Sequence, residues 1–209
     1  MNGIFVTFEG IEGCGKSTQL SLLANWLSGS GLEVVVTREP GGTAIGERIR
    51  SILQTGDGSS IFSARTEILL FEASRAQHVE EKILPALETG KIVLCDRFFD
   101  STVVYQGSAR QIEADTVKFL NAFASHGCSP DMTIFIDIGV ATSFKRIAAR
   151  NGSRDRIELE NELFFSKVRD GYLDLVRGDG RFFAVDGNVD AETVHAQIRD
   201  EFTKRFFKN

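Results

Sequence analysis

The sequence has little that would cross-link it, anchor it or give it a strongly basic face. Its three cysteines, Cys14, Cys95 and Cys128, are far apart and form no Cys-x-x-Cys pair. A disulfide framework or a zinc site is therefore not expected, and the thiols read as reduced in a cytoplasmic protein. His78, His126 and His195 are equally scattered, with no metal-ligand spacing between them. No apolar run is long enough to cross a membrane, and Met1 to Phe5 shows no basic stretch leading into an apolar one, so no secretory signal is expected. The three prolines, Pro40, Pro85 and Pro130, fall at loops or helix ends, and no repeat or low-complexity tract occurs. Basic residues number 24 against 29 acidic, a net charge of −5. That balance argues against a nucleic-acid partner. It leaves room for a small anion held by a local cluster, and Lys145, Arg146, Arg150, Arg154 and Arg156 form one, opposed only by Asp155.

What is present is an alternation of strand and helix patterns over 209 residues, read as one domain spanning 1–209. Strands are expected at 4–8, 32–37, 92–95, 132–138 and 181–185. Helices are expected around Leu20 to Leu27, around Ile45 to Leu53, over 64–75 and 77–89, around Val117 to Phe123, and over 190–207. Strands separated by helices imply right-handed crossovers. The fold class is α/β, with a central five-stranded parallel sheet covered by helices on both faces. Continuous apolar strands are what such a sheet requires.

Gly10-Ile11-Glu12-Gly13-Cys14-Gly15-Lys16-Ser17 fits G-x-x-x-x-G-K-[ST], with a strand before it and a helix after it. Glycines let successive backbone N–H groups face one centre, and the helix adds its positive end. Together with Thr18 this segment is the expected ATP site. Lys16 reaches the β and γ phosphates and Ser17 offers its hydroxyl to Mg²⁺. Neither D-x-x-G nor N-K-x-D occurs, which excludes a guanine-specific switch. Asp96-Arg97 closes the third strand, where ligands bind in parallel sheets. Asp96 there can hold the metal's water shell and Arg97 can grip phosphate, unless the two form only a surface pair. Glu12 is out of place among anion-binding amides. It is either solvated or leaning toward another ligand, such as a sugar hydroxyl. Phe71 and Arg75, four apart, face one way from a helix. They make either an ordinary amphipathic edge or a stacking face with a donor for a base.

Thr37-Arg38-Glu39-Pro40-Gly41-Gly42 resembles the thymidylate kinase family. So do Phe71-Glu72-Ala73-Ser74-Arg75, Asp96-Arg97-Phe98, Tyr105-Gln106-Gly107 and Asp155-Arg156-Ile157-Glu158, in order along nearly the whole chain. The resemblance implies a P-loop kinase fold with a mobile lid at about 145–158, a homodimer, and phosphorylation of dTMP to dTDP by MgATP. On the acceptor it implies Glu12 at the 3′-hydroxyl, Arg38 and Arg97 on the monophosphate and Phe71 and Arg75 at the base. Tyr105 would stand against ribose, with Ser101 and Gln106 adding contacts. Arg146 is similar to the residue that packs on adenine. Some members carry an arginine at the position of Gly13. Its absence here moves the catalytic positive charge to the lid, to Arg150 and Arg154 beside Lys16 and Arg97, with Asn151-Gly152-Ser153 as the turn that lets the lid move. Two departures stand out: Phe98 replaces the usual tyrosine, losing a hydroxyl, and Val104 replaces a common alanine. The competing readings are a related kinase with another nucleotide acceptor, and a non-catalytic nucleotide-binding module.

Overall fold

The computed structural model describes residues 3–54, 62–150 and 155–207. Five strands form one parallel sheet: β1 Ile4–Glu9, β2 Val34–Arg38, β3 Ile92–Asp96, β4 Met132–Asp137 and β5 Phe182–Asp186. Their order across the sheet is β2-β3-β1-β4-β5. The central strands β1, β3 and β4 are buried almost throughout, as their continuous apolar runs demand. Side-chain alternation divides the interior in two. Val6, Phe8, Ile92 and Leu94 join the larger cluster, with Leu23, Tyr172 and Phe202. Phe5, Val93 and Cys95 join a smaller one with Val79, Ile83 and Phe98.

The helices are α1 Lys16–Gly29, α2 Ala44–Gln54, α3 Ala64–His78, α4 Leu84–Glu88, α5 Phe99–Thr102, α6 Ala114–Ala124, α7 Val140–Ala149, α8 Glu162–Gly178 and α9 Ala191–Phe206. α3 and α4 are not the two separate helices expected from the sequence. A π-helical segment, Val79–Ile83, joins them into one rod. The cause lies in Pro85, which has no N–H for the carbonyl of residue 81 and would press against it in α geometry; a widened turn removes both conflicts. A second π segment, Val103–Ala109, continues α5 and buries Tyr105 and Gln106. The sequence patterns assign no helix to 162–178. Yet Phe164, Phe165, Val168 and Tyr172 there form one buried stripe, and Asn161 caps it by accepting from Phe164 N at 2.9 Å.

The helix expected around Ile45 to Leu53 is α2. Its isoleucines mark the helix, but Ile45 stands half exposed, and the buried residues are Gly46 and Leu53. A Cβ at Gly46 would lie 2.7 Å from the Gly41 carbonyl oxygen. The small residue therefore sets how closely α2 approaches the loop after β2. Register aligns Phe8 with Asp96 and Asp96 with Arg38. The segments following β1, β2 and β3 thus leave the sheet from the same edge, and the site is built there.

Candidate active site

The loop between β1 and α1 curls through Gly10 (φ 140°), Gly13 (φ 75°) and Gly15 (φ 104°), in the region that favours glycine. At Gly10 a Cβ would also meet the Ile136 carbonyl oxygen at 2.6 Å. Lys16 is buried and folds its ammonium across the loop, donating to the carbonyls of Gly10 (2.9 Å) and Ile11 (3.1 Å). Ser17 Oγ donates to Asp96 Oδ2 at 2.9 Å. The loop serine and the β3 carboxylate, 79 residues apart, therefore sit side by side on the exposed edge. Arg146 spans the far side of the loop, donating to Gly13 O (3.3 Å) and Gly187 O (2.9 Å). It lines a second hollow with Gly13, Gly15 and Thr18.

Glu12 does not face the loop's centre. Its Oε1 accepts from Arg97 Nη2 at 2.6 Å and its Oε2 from the Tyr105 hydroxyl at 2.7 Å. This points it into a cleft lined also by Phe71, Arg75, Ser101 and Gln106. Arg97 adopts φ 71°, unusual for a side chain of its size. It is held there by its N–H to Phe8 O at 3.0 Å and by Nη1 donating to Ser101 Oγ (3.1 Å) and the Tyr172 hydroxyl (3.3 Å). Its guanidinium carbon lies 4.9 Å from the centre of the Tyr105 ring. Beneath this group Glu9 is fully buried. Its Oε1 accepts from Phe98 N (2.8 Å), and its Oε2 accepts from Ser101 Oγ (2.7 Å) and the Tyr172 hydroxyl (2.6 Å). Burial, then repulsion from Asp100, pushes the Glu9 carboxyl up to about 7 against the pull of Arg97, Tyr172 and Ser101.

Arg75 is buried and almost fully engaged. Nε donates to Glu39 at 2.8 Å, and Nη1 donates to Glu72 (2.5 Å) and Asn121 (2.9 Å). The adjacent carboxylates Glu39 and Glu72 outweigh burial and hold the guanidinium charged. Among the described residues Nη2 makes no hydrogen bond, and Arg75 lines the cleft four residues from Phe71. Arg38 is not drawn in. It turns outward to both oxygens of Glu47, at 3.0 and 2.9 Å, so the convergence expected of Arg38 and Arg97 is absent in this conformation. Arg150 is exposed and paired with Glu158 rather than with the phosphate loop. Arg154 and the Asn151-Gly152-Ser153 turn lie outside the described residues.

A thymidylate kinase family model matches residues 8–198. The chain is 48% identical over 205 residues to the thymidylate kinase of Thermoanaerobacter sp. (strain X514), covering 98% of this chain and 99% of that one. It is 49% identical over 203 residues to the thymidylate kinase of Geotalea daltonii, covering 94% of each. The crystal structure of thymidylate kinase from Ehrlichia chaffeensis superimposes with a TM-score of 0.77 at 34% identity, covering 97% of this chain and 99% of that one. The chain belongs to the thymidylate kinase family.

Membership makes the chain a phosphotransferase of that family with its P-loop kinase fold. Sequence reasoning missed several residues around the cleft: Glu9, Glu39, Arg50 and Tyr172. Arg50 lines it and donates to Pro40 O at 3.0 Å. Glu39 ties Arg75 to His78, whose Nδ1 lies 3.0 Å away and whose Nε2 lies 2.6 Å from Thr37 Oγ1. The run 37–42 is thus a loop fastened to α3, and Ser74 Oγ adds a bond from Gly41 N at 3.1 Å. Glu39 sat inside a run singled out for other reasons. Tyr172 carried a signal in the apolar spacing of 164, 165, 168 and 172. Glu9 carried none, because a strand-end glutamate looks solvated.

Proposed function

We propose that the chain transfers the γ-phosphoryl group of ATP to dTMP, giving dTDP. One observation carries this reading: Glu12, a residue of the phosphate loop, extends into the neighbouring cleft and bonds both Arg97 and Tyr105. Donor and acceptor sites therefore share a wall, as direct transfer between two bound nucleotides requires. ATP is held by Gly10 to Thr18, with Arg146 against the adenine. dTMP occupies the cleft, its base beside Phe71 and its O4 within reach of Arg75 Nη2. Its 3′-hydroxyl meets Glu12 and its phosphate meets Arg97, with Ser101 and Gln106 completing the lining. Tyr105 fills the space a 2′-hydroxyl would need. Arg38 joins the phosphate on leaving Glu47.

The acceptor phosphate oxygen attacks the γ-phosphorus as the bond from that phosphorus to the β–γ bridging oxygen breaks, ADP leaves with the bridging oxygen, and charge builds on the equatorial oxygens in between. Lys16, released from the Gly10 and Ile11 carbonyls, and Arg97 meet that charge. Arg150 and Arg154 add to it when the lid at about 145–158 closes. Ser17 and Asp96 would hold Mg²⁺, since both offer oxygen and their side chains lie 2.9 Å apart; when bound there, it would supply positive charge against the donor's phosphates.

We also propose a homodimer and a cytoplasmic location for this single-domain enzyme. α3 packs against both α2 and α6. Each of the three presents exposed apolar side chains, namely Ile45, Leu69, Phe119 and Phe123, the last two stacked with 6.5 Å between ring centres. Grouped apolar exposure of this kind favours a covered surface. The three cysteines are free, and among the described residues no helix is long and apolar enough to cross a membrane. A coupled assay offering dTMP, dUMP, dCMP, dAMP and dGMP with MgATP tests the central claim. ADP release with dTMP far exceeding the others is expected, and turnover dominated by another nucleotide would overturn it.

A further inference from the structure

Glu67 lies in the first turn of α3, is fully buried, and does not itself line the cleft. Its carboxylate nevertheless gathers side chains from distant parts of the chain. Oε1 accepts from Gln106 Nε2 at 2.7 Å and from Arg110 Nε at 3.3 Å. Oε2 accepts from Arg110 Nη2 at 3.4 Å and from Arg156 Nη2. Burial would raise this carboxyl, but the Gln106 hydrogen bond and the guanidiniums of Arg110 and Arg156 outweigh it and hold it ionised. Each partner reaches further. Arg110 Nη2 also donates to Glu160 at 2.6 Å, and its guanidinium lies 4.6 Å from the Phe164 ring centre. Arg156 Nε donates to Leu53 O at 3.3 Å, and Arg156 sits 5.2 Å from the Phe62 ring centre.

The consequence concerns residues 155–160. Asp155 Oδ1 accepts from the N–H groups of Ile157 (3.0 Å) and Glu158 (2.9 Å), making this stretch a compact turn. Asp155, Arg156 and Ile157 form one wall of the cleft and Gln106 another. Among the described residues, the only buried carboxylate bonded to both walls is Glu67. Arg156 is thereby drawn to the acceptor side and away from the phosphate loop, instead of sharing the transition-state charge with its lid neighbours.

We propose that Glu67 is a positioning residue that docks segment 155–160 onto the cleft through Arg156 and Arg110 while fixing Gln106, so that acceptor binding and lid docking are coupled through one buried carboxylate. The inference builds on the assignment of this cleft to dTMP, and two independent readouts separate the two claims. The first is amide hydrogen exchange of residues 155–160 in the ligand-free full-length protein. Glu67→Gln keeps the size and one acceptor oxygen but removes the charge facing two guanidiniums. Exchange in this segment is expected to accelerate by about tenfold, the order that loss of a charge-assisted bond gives, while exchange in β1 and β3 stays unchanged. The second readout is kinetic: Glu67→Gln should raise the KM for dTMP by about tenfold and the KM for ATP by less than about twofold, with Arg156→Gln producing the same split and the double variant little more than either single one. Unchanged protection of 155–160 in folded Glu67→Gln, or a KM for ATP that rises as much as that for dTMP, would overturn the proposal. Should Glu67→Gln fail to fold, Arg156→Gln is decided by the same two measurements. If the wild-type protein does not phosphorylate dTMP, the acceptor assignment alone falls, and the exchange experiment still decides the docking role.

Discussion

Replacing Glu9 by Gln removes one ionisable proton from the interior, and its effect on stability has a sign and a pH window that the structure dictates. In an unfolded chain the carboxyl titrates near 4.5, and in the native protein near 7. Between these values the native state holds a proton that the unfolded state has released. Stability from this group is then complete below pH 4.5 and declines as pH rises toward 7, at about 1.4 kcal/mol per pH unit, or roughly 3 kcal/mol over the whole interval. The amide introduced by Glu9→Gln does not titrate. It keeps an acceptor for Phe98 N, and its NH₂ group can donate to the hydroxyls of Ser101 and Tyr172, which are able to turn and accept. The stability difference between Glu9→Gln and wild type should therefore grow in favour of the variant from about pH 5 to 7 and level off by about pH 8.5. Any change in packing or bond quality offsets the two curves without altering that slope. Urea denaturation of both proteins at fixed ionic strength across this range measures it. A difference that is flat with pH, or that grows in favour of wild type, would refute the argument that burial and Asp100 dominate over Arg97 at this site.

Other perturbations separate the remaining roles. Lys16→Met should leave the fold intact and lower kcat by about 10²–10³, the scale on which one electrostatic stabiliser acts; a folded variant retaining a tenth of wild-type kcat would remove Lys16 from the transition state. Arg75→Ala leaves Glu39 and Glu72 as buried carboxylates without their cation and should cost about 3–5 kcal/mol of stability, read by thermal or urea unfolding. Arg75→Lys keeps the charge without the planar fork and should raise the KM for dTMP far more than that for ATP. Arg150→Ala removes an exposed ion pair, so unfolding should shift by less than about 1 kcal/mol, yet steady-state kinetics should show kcat down by at least about tenfold with modest change in either KM; near-normal kcat would place the lid charge elsewhere.

Much of this architecture can be read from the sequence because its causes are local. The phosphate loop is eight consecutive residues whose glycines and lysine have to be neighbours, and the three central strands are apolar because both their faces are covered. The cleft is different. Glu9 meets Tyr172 across 163 residues and Glu67 meets Arg156 across 89, and no spacing rule links positions so far apart. Charge misleads as well, since Glu9, Glu39 and Glu67 are all buried although their residue type predicts solvent. Ile45 errs the other way, being apolar and periodic but half exposed, because a helix pattern reports that one face differs from the other and not what covers it.

Glu12 belongs by backbone to the phosphate loop and by side chain to the neighbouring cleft, with one oxygen on Arg97 and the other on Tyr105. Such shared ownership limits how the molecule can diversify. A change that retunes the cleft through Arg97 or Tyr105 also alters the restraint on residue 12, and with it the curvature of the loop proposed to grip the donor. Grafting the cleft residues of another nucleotide kinase onto this scaffold would therefore disturb donor binding unless residue 12 and its two partners travelled together as one unit of inheritance.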